Sequence, residues 1–309
     1  MSERLRLTAI LVLMAAGWGL SIPLSKIAVS TGYQPFGLIF WQLVIVAAIL
    51  WMLSALRGRP VRLRRCHFRL YLMVALCGAV LPDIFFYLAA ARLPGGIMAI
   101  IVSSVPIFSL PIALAMRNEP FMAVRLLGLF FGMAGIVLLI GPDSTLPDPA
   151  MAGFVPIALL APLLYATEGN LVAKWGTGGL DAIQTIIGAS LLGMVLTLPT
   201  ALATGQFINP LVTFGWVETA FVTGAAIHGV VYATYVWMVG RAGPVFSGQV
   251  SYLVTGLGVV WSMLLLGERY SGYVWAALGL MLIGMFLVQP RQSIALAPGP
   301  ALRENAEKQ

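Results

Sequence analysis

Charge is scarce in this chain. Of 309 residues only 9% are Asp, Glu, Lys or Arg, where soluble domains carry roughly 25%. A fold with a fully solvated, charged surface is excluded. Cysteine is scarcer still. Cys66 falls in a loop between apolar runs and Cys77 inside one, so no disulfide is expected. Histidine is limited to His67 and His228, and no zinc-ligand spacing, phosphate-binding loop or GxSxG elbow occurs. These absences argue against an enzyme, and they give no cofactor and no metal to expect.

Apolar residues take up the space, at 60% of the chain and a mean hydropathy of +0.95. A soluble core of this length cannot bury so much, so the natural solvent is a bilayer. The 33 Gly and 19 Pro fit, since both are tolerated in membrane helices. The runs, cut at Gly, Pro and charges, predict ten spans near 7–29, 36–56, 69–91, 97–117, 122–141, 152–173, 181–203, 215–239, 246–267 and 272–289. Each is about the 20 residues that cross roughly 30 Å of hydrocarbon as a helix. The first run is too long for a cleaved leader and lacks a small-residue cleavage site. It reads as a signal anchor behind Arg4 and Arg6.

The few charges are not placed at random. With the N-terminus inside, 15 of the 18 Lys and Arg fall on inner segments, leaving Lys26, Arg92 and Arg269 toward the outside. Both termini are therefore expected in the cytoplasm, in a bacterial-type inner membrane. The net charge of +7 is a topology signal. A nucleic-acid reading of VRLRRCHFR ignores where that loop sits, and no nucleic-acid partner is expected. His67, among those arginines, reads as interfacial.

The chain also repeats itself. ARLPGGIMAIIVSSVPIFSLPIALAMRNE (91–119) aligns without gaps on GRAGPVFSGQVSYLVTGLGVVWSMLLLGE (240–268), at an offset of 149. Arg92 meets Arg241, Glu119 meets Glu268, and further on Gly135 meets Gly284. Lys26 of IPLSKIA corresponds to Lys174 of NLVAKWG, and CGAVLPD (77–83) to TGAAIHG (223–229). The pattern gives two five-helix units, 1–145 and 146–291, followed by a disordered cytoplasmic tail over 292–309. With five helices per unit, the second enters the membrane from the opposite side. The fold class is thus all-α integral membrane, ten transmembrane helices as two inverted five-helix repeats, an arrangement that puts a transporter's site at midplane between the repeats.

WGL at Trp18 with a lysine eight residues on, the two stretches ending in Glu119 and Glu268, and the Gly-rich fifth and tenth spans resemble the EamA-type members of the drug/metabolite transporter superfamily. That resemblance implies ten helices, cytoplasmic termini, a central cavity, and export of amino acids, other metabolites or toxic compounds. One departure stands out. Many members carry Arg early in the second helix, seven residues after a loop proline, and here Gln42 holds that distance from Pro35.

Polar residues inside apolar runs are costly and usually face a cavity. Asp83, in LPDIFFYLAAA, lies about 20 Å from the inner end of its span. His228 occupies the matching depth in the other unit, so the two are expected as partners in substrate or proton binding. Glu168 is expected to bind a substrate amine or relay a proton, or else to pair with Lys174 near the interface. Tyr87, Tyr165 and Tyr232 stand three or four residues from these groups, on the same helix faces. Trp18, Ser103 and its neighbour Ser104, Gln249 and Tyr252 complete the expected cavity. Glu218 reads as a helix N-terminal acid, Glu119 and Glu268 as scaffold, and Lys26 and Lys174 as snorkelling. Gly128, Gly132, Gly135 and Gly284 read as helix-packing positions.

The expectation is a secondary transporter, exporting amino acids or other small amphiphilic metabolites or drugs by alternating access. A facilitated uniporter or channel-like permease is the alternative, and an integral-membrane enzyme a more remote one. The expected partners are a small-molecule substrate, protons and the lipid bilayer, with the chain a monomer.

Overall fold

The structure is a computed structural model and describes residues 3–58, 61, 63–140, 146, 148–211 and 214–288, with backbone only at 244 and 245. All regular structure among them is helical. The expected tail at 292–309 and most of the loop at 142–150 lie outside the described residues.

The spans follow in chain order. The first is α1 (Glu3–Ser30), the second α2 (Pro35–Leu56). The third joins α3 (Phe68–Ala75) to α4 (Leu81–Ala90) through one widened π turn, Leu76–Val80. The fourth joins α5 (Gly95–Val102) to α6 (Val105–Ala115), and the fifth is α7 (Ala123–Ile140). The sixth is α8 (Val155–Trp175), the seventh α9 (Ala182–Ala203) and the eighth α10 (Trp216–Ala242). The ninth joins α11 (Pro244–Gly248) to α12 (Val250–Leu266), and α13 (Gly272–Val288) follows.

Among the described residues nine of these are long and apolar enough to cross a bilayer. The expected tenth, α13, is a shorter apolar helix of 17 residues, at the lower end of what spans hydrocarbon. Local chemistry sets the ends. Pro35 opens α2, where its missing N–H costs nothing. Asp181 caps α9 by accepting from Gln184 N at 2.8 Å. Gly243, at φ +82°, ends α10 in a conformation that side-chain-bearing residues avoid.

Contacts between loops sort the helix ends into two faces. On one face Arg241 pairs with Glu3, and Arg125 at the start of α7 donates to Val288 O at 2.8 Å. On the other, Trp41 donates to Ile208 O at 2.8 Å, and Phe36 N donates to Gln206 Oε1 at 3.1 Å. We call these the terminal face and the distal face.

The packing has an internal order. The first span packs on the eighth and ninth, and the sixth on the third and fourth. The seventh packs on the third, and the second on the eighth. The second also meets the seventh, the fourth the ninth, and the fifth the tenth. Adding five to every span number, modulo ten, returns the same set. The α7–α13 contact is made by glycine. A Cβ at Gly284 would lie 2.7 Å from Gly132 N, and one at Gly128 would lie 2.8 Å from Gly284 O. At Gly135 a Cβ would lie 3.0 Å from Ala277 O. Large apolar side chains such as Phe130, Leu264 and Phe286 point outward, exposed, as expected of faces that meet lipid.

Candidate functional site

A cavity of about 690 Å³ lies among the first, second, third, fourth, sixth, eighth and ninth spans. It runs from the level of Asp83 to Glu119, Arg125 and Val288 near the terminal face.

Asp83 is set into it by a break in its own helix. Pro82 has no N–H to return to the preceding turn, and the backbone widens into the π turn Leu76–Val80 just before it. Gly78, in that turn, leaves room for Glu168. A Cβ there would lie 3.2 Å from the Glu168 Cγ. Asp83 is only 7% exposed, so its carboxyl must be satisfied by neighbours. Gln42 Nε2 donates to Oδ2 at 2.8 Å and Tyr165 OH donates to Oδ1 at 3.0 Å. Tyr87 OH donates to Gln42 Oε1 at 2.5 Å, extending the chain. Every donor is neutral, and no ion pair to Asp83 is found among the described residues.

His228 is not Asp83's partner. It lies against Trp18, with ring centroids 6.1 Å apart, and Tyr235 covers Trp18 at 5.5 Å. The reason is packing. α10 packs chiefly on α1 and α4 chiefly on α8, so Asp83 and His228 stand on different walls of one cavity. Trp18 Nε1 is buried with no hydrogen-bond partner among the described residues.

Glu168 lines the cavity, and its alternative pairing with Lys174 is not made among the described residues. Lys174 is exposed. Ser103 lines the cavity, and with Ser104 returns its hydroxyl to its own helix. Three expected members lie elsewhere. Tyr232 packs with Val46, Leu50 and Ile183. Tyr235 keeps His228's face after seven residues, whereas Tyr232 turns about 40° away. Gln249 is exposed at the break between α11 and α12. Tyr252 has a buried hydroxyl with no partner among the described residues, and its helix faces the cavity through Ser251 and Val254 instead.

Sequence reasoning left out Gln42, Ser21, Ser25, Phe86 and Tyr235, which all line the cavity. Gln42 had a signal, since it stands where the resemblance leads one to look for Arg. The others look like ordinary span residues.

The distal face is fastened around the turn between α4 and α5. Lys26 does not snorkel. Its Nζ donates to Ala90 O at 2.8 Å and Leu93 O at 2.7 Å, the last carbonyls before the turn into α5. Glu268 reaches the other side of that turn and accepts from Gly95 N at 2.8 Å and Gly96 N at 3.2 Å. A cation thus meets a helix C-terminus and an anion a helix N-terminus, each the favourable end of the dipole. Tyr270 donates to Glu268 and accepts from Gly96 N at 2.9 Å. Burial, then the Glu268 carboxylate, holds its phenol above the ordinary range, which keeps it a donor. Nearby Tyr33 donates to Glu218, which also caps Gly215 N at 2.7 Å. At the terminal face Glu119 does not cap the following helix but pairs with Arg125. Cys66 and Cys77 are free thiols.

Residues 7–141 match the EamA-like transporter family. The protein PecM of Dickeya dadantii (strain 3937) is 28% identical over 218 residues, 69% of this chain and 71% of that one. A protein known from its crystal structure superposes with a TM-score of 0.60 over 89% of this chain and 95% of its own. At 18% identity, that likeness is one of fold alone. The matched residues carry Trp18, Lys26, Gln42, Asp83 and Glu119, so over this part the chain is similar to the EamA-like transporter family.

Proposed function

We propose that this protein is a transporter that exports a small amphiphilic solute, an amino acid or another metabolite or drug, across an inner membrane by alternating access, with both termini in the cytoplasm. The observation that carries this reading is the one-sided cavity. It extends to the terminal face, while Lys26 and Glu268 fasten the distal face. A channel needs a continuous polar path, and a cavity fastened on one face argues for a carrier instead.

Two inverted five-helix repeats, 1–145 and 146–291, underlie the mechanism. Their support is the packing that returns to itself when five is added to each span number, together with the 149-residue register of the sequence. The lining supports an amphiphile. Trp18, Phe86 and Tyr235 offer aromatic surface, and Asp83 and Glu168 offer carboxyls. Arg125, the cation that lines the cavity, is tied to Glu119 and to Val288 O. An amine-bearing solute therefore fits better than an anionic one. Asp83, Glu168, His228, Trp18, Tyr87, Tyr165 and Ser103 are the proposed contacts. The reading calls for no resident cofactor and no enzymatic step.

The test is reconstitution of the purified protein in liposomes with labelled amino acids and amine-bearing drugs. Saturable flux above that of empty liposomes is expected for at least one amine-bearing solute. Flux that rises linearly without saturation would favour a channel, and none for any solute would overturn the reading.

A further inference from the structure

We propose that Lys174 and Glu119 form a second latch that closes the terminal face in the alternate conformation, as Lys26 and Glu268 close the distal face in this one. The inference rests on the alternating-access reading and assigns residues to it.

The repeat register names the parts. Lys174 is the counterpart of Lys26, and Glu119 of Glu268. The carbonyls of Ala90 and Leu93 map onto those of Val239 and Ala242, at the end of α10. The amides of Gly95 and Gly96 map onto positions 244 and 245, at the start of α11. The parts of the distal latch are joined and those of the terminal one are not. Lys174 is exposed. Glu119 is held by Arg125.

The packing breaks its own symmetry at the same place. The first span packs on α4 and on α5, and α13 packs on α5. By exchange, the sixth span should pack on α10 and α11, and the fifth on α11. No comparable packing is found there among the described residues. The departures thus gather where the second latch would form.

The chemistry of closure follows. Lys174 brings its ammonium to the carbonyl end of α10, and Glu119 leaves Arg125 for the amide end of α11, each again at the favourable pole of a helix. Pro244 has no N–H, so Glu119 finds a donor at Val245 where Glu268 finds two glycine amides. The second latch is thereby the weaker one, in keeping with a structure in which it is the open one.

The test is a cavity reporter, Ser103→Cys, in a Cys66→Ser, Cys77→Ser background, labelled from each face of oriented vesicles with a membrane-impermeant maleimide. Lys174→Gln is the informative variant. It removes an exposed side chain with no ion pair among the described residues, so a purely structural role predicts no change. The latch predicts that labelling from the distal face slows about tenfold, the scale of a lost charged hydrogen bond, with flux falling in step. Lys26→Gln and Glu268→Gln should speed distal labelling by a similar factor. If Lys174→Gln labels and transports like the parent, the second latch is wrong and the carrier reading stands. If the parent is never labelled from the distal face, alternating access fails, and the latch falls with it.

Discussion

Gln42 of α2 bridges two side chains one turn apart on α4: it donates to Asp83 Oδ2 at 2.8 Å while its own Oε1 accepts from Tyr87 at 2.5 Å. The amide is polar in both directions, so the chain Tyr87–Gln42–Asp83 has a fixed donor order. An arginine at that position would offer donors only, leaving Tyr87 without its acceptor and placing a second charge beside Asp83. The glutamine thus keeps the carboxyl uncompensated by any protein cation, and available to a solute or a proton.

Asp83→Asn separates binding from scaffolding. Asparagine keeps the shape and can still accept from Tyr165. Its NH₂ would face the Gln42 NH₂, and rotation of the Gln42 amide by half a turn relieves that clash, with Tyr87 OH then accepting. The variant is expected to fold, with detergent stability near the parent. Flux should fall about tenfold or more, since a charged hydrogen bond is worth roughly 1.5–3 kcal/mol. His228→Ala should also lower flux by opening the Trp18 stack. Gel filtration and thermal melts beside the flux assay check this. Folded protein lost in proportion to flux would make both residues structural.

Glycine packing between α7 and α13 gives a stability prediction with an internal control. In Gly284→Ala the new methyl would sit 2.7 Å from Gly132 N and 2.8 Å from Gly128 O, both backbone atoms that yield only if the helices part. Overpacking of this kind costs about 1–3 kcal/mol, seen as a lower melting temperature in detergent. Gly279→Ala, on the same helix, meets nothing within 4 Å. It should leave the melting temperature unchanged or raise it slightly, because glycine costs about 0.5–1 kcal/mol in a helix relative to alanine. Equal effects at the two positions would mean that α7 and α13 do not pack through Gly284.

The apolar runs made the helices legible, because a bilayer-length stretch such as 36–56 has few alternatives in lipid. Individual side-chain partners were not legible. Asp83 and His228 share a depth, but depth is only one coordinate, and helix packing decided that Gln42 and Tyr165 would reach the carboxyl. Lys26 looked like a snorkelling residue because sequence shows its distance along the helix and not the two carbonyls that the turn at 91–94 presents. Tyr235 was missed for a similar reason, as its role depends on α10 lying against Trp18.

Topology can be read with one native and one introduced thiol. Cys66 is exposed on the terminal face, and Gln34, also exposed, is on the distal face. In intact cells an impermeant maleimide should label Gln34→Cys in a Cys66→Ser background and leave the parent's Cys66 untouched until the membrane is permeabilised. Cys77 is half-buried within a span and should contribute little. The reverse pattern would turn the protein over in the membrane, and with it the export direction.

Coupling is decided by what Asp83 and Glu168 exchange for solute. Both line the cavity, and neither has a cationic partner among the described residues. If they release a proton when solute binds and regain it when solute leaves, the carrier is an antiporter. The sign is then fixed. With the membrane potential clamped, liposomes acidic inside should accumulate solute as protons leave, and liposomes acidic outside should lose it. Glu168→Gln and Asp83→Asn should each abolish accumulation, and one of them should retain exchange of solute for solute, because the remaining carboxyl still recognises it. If the parent merely equilibrates solute whichever side is acidic, the carboxyls are fixed counter-charges and the protein is a uniporter. In that case Glu168→Gln should raise the half-saturating solute concentration and leave the direction of flux to the solute gradient alone.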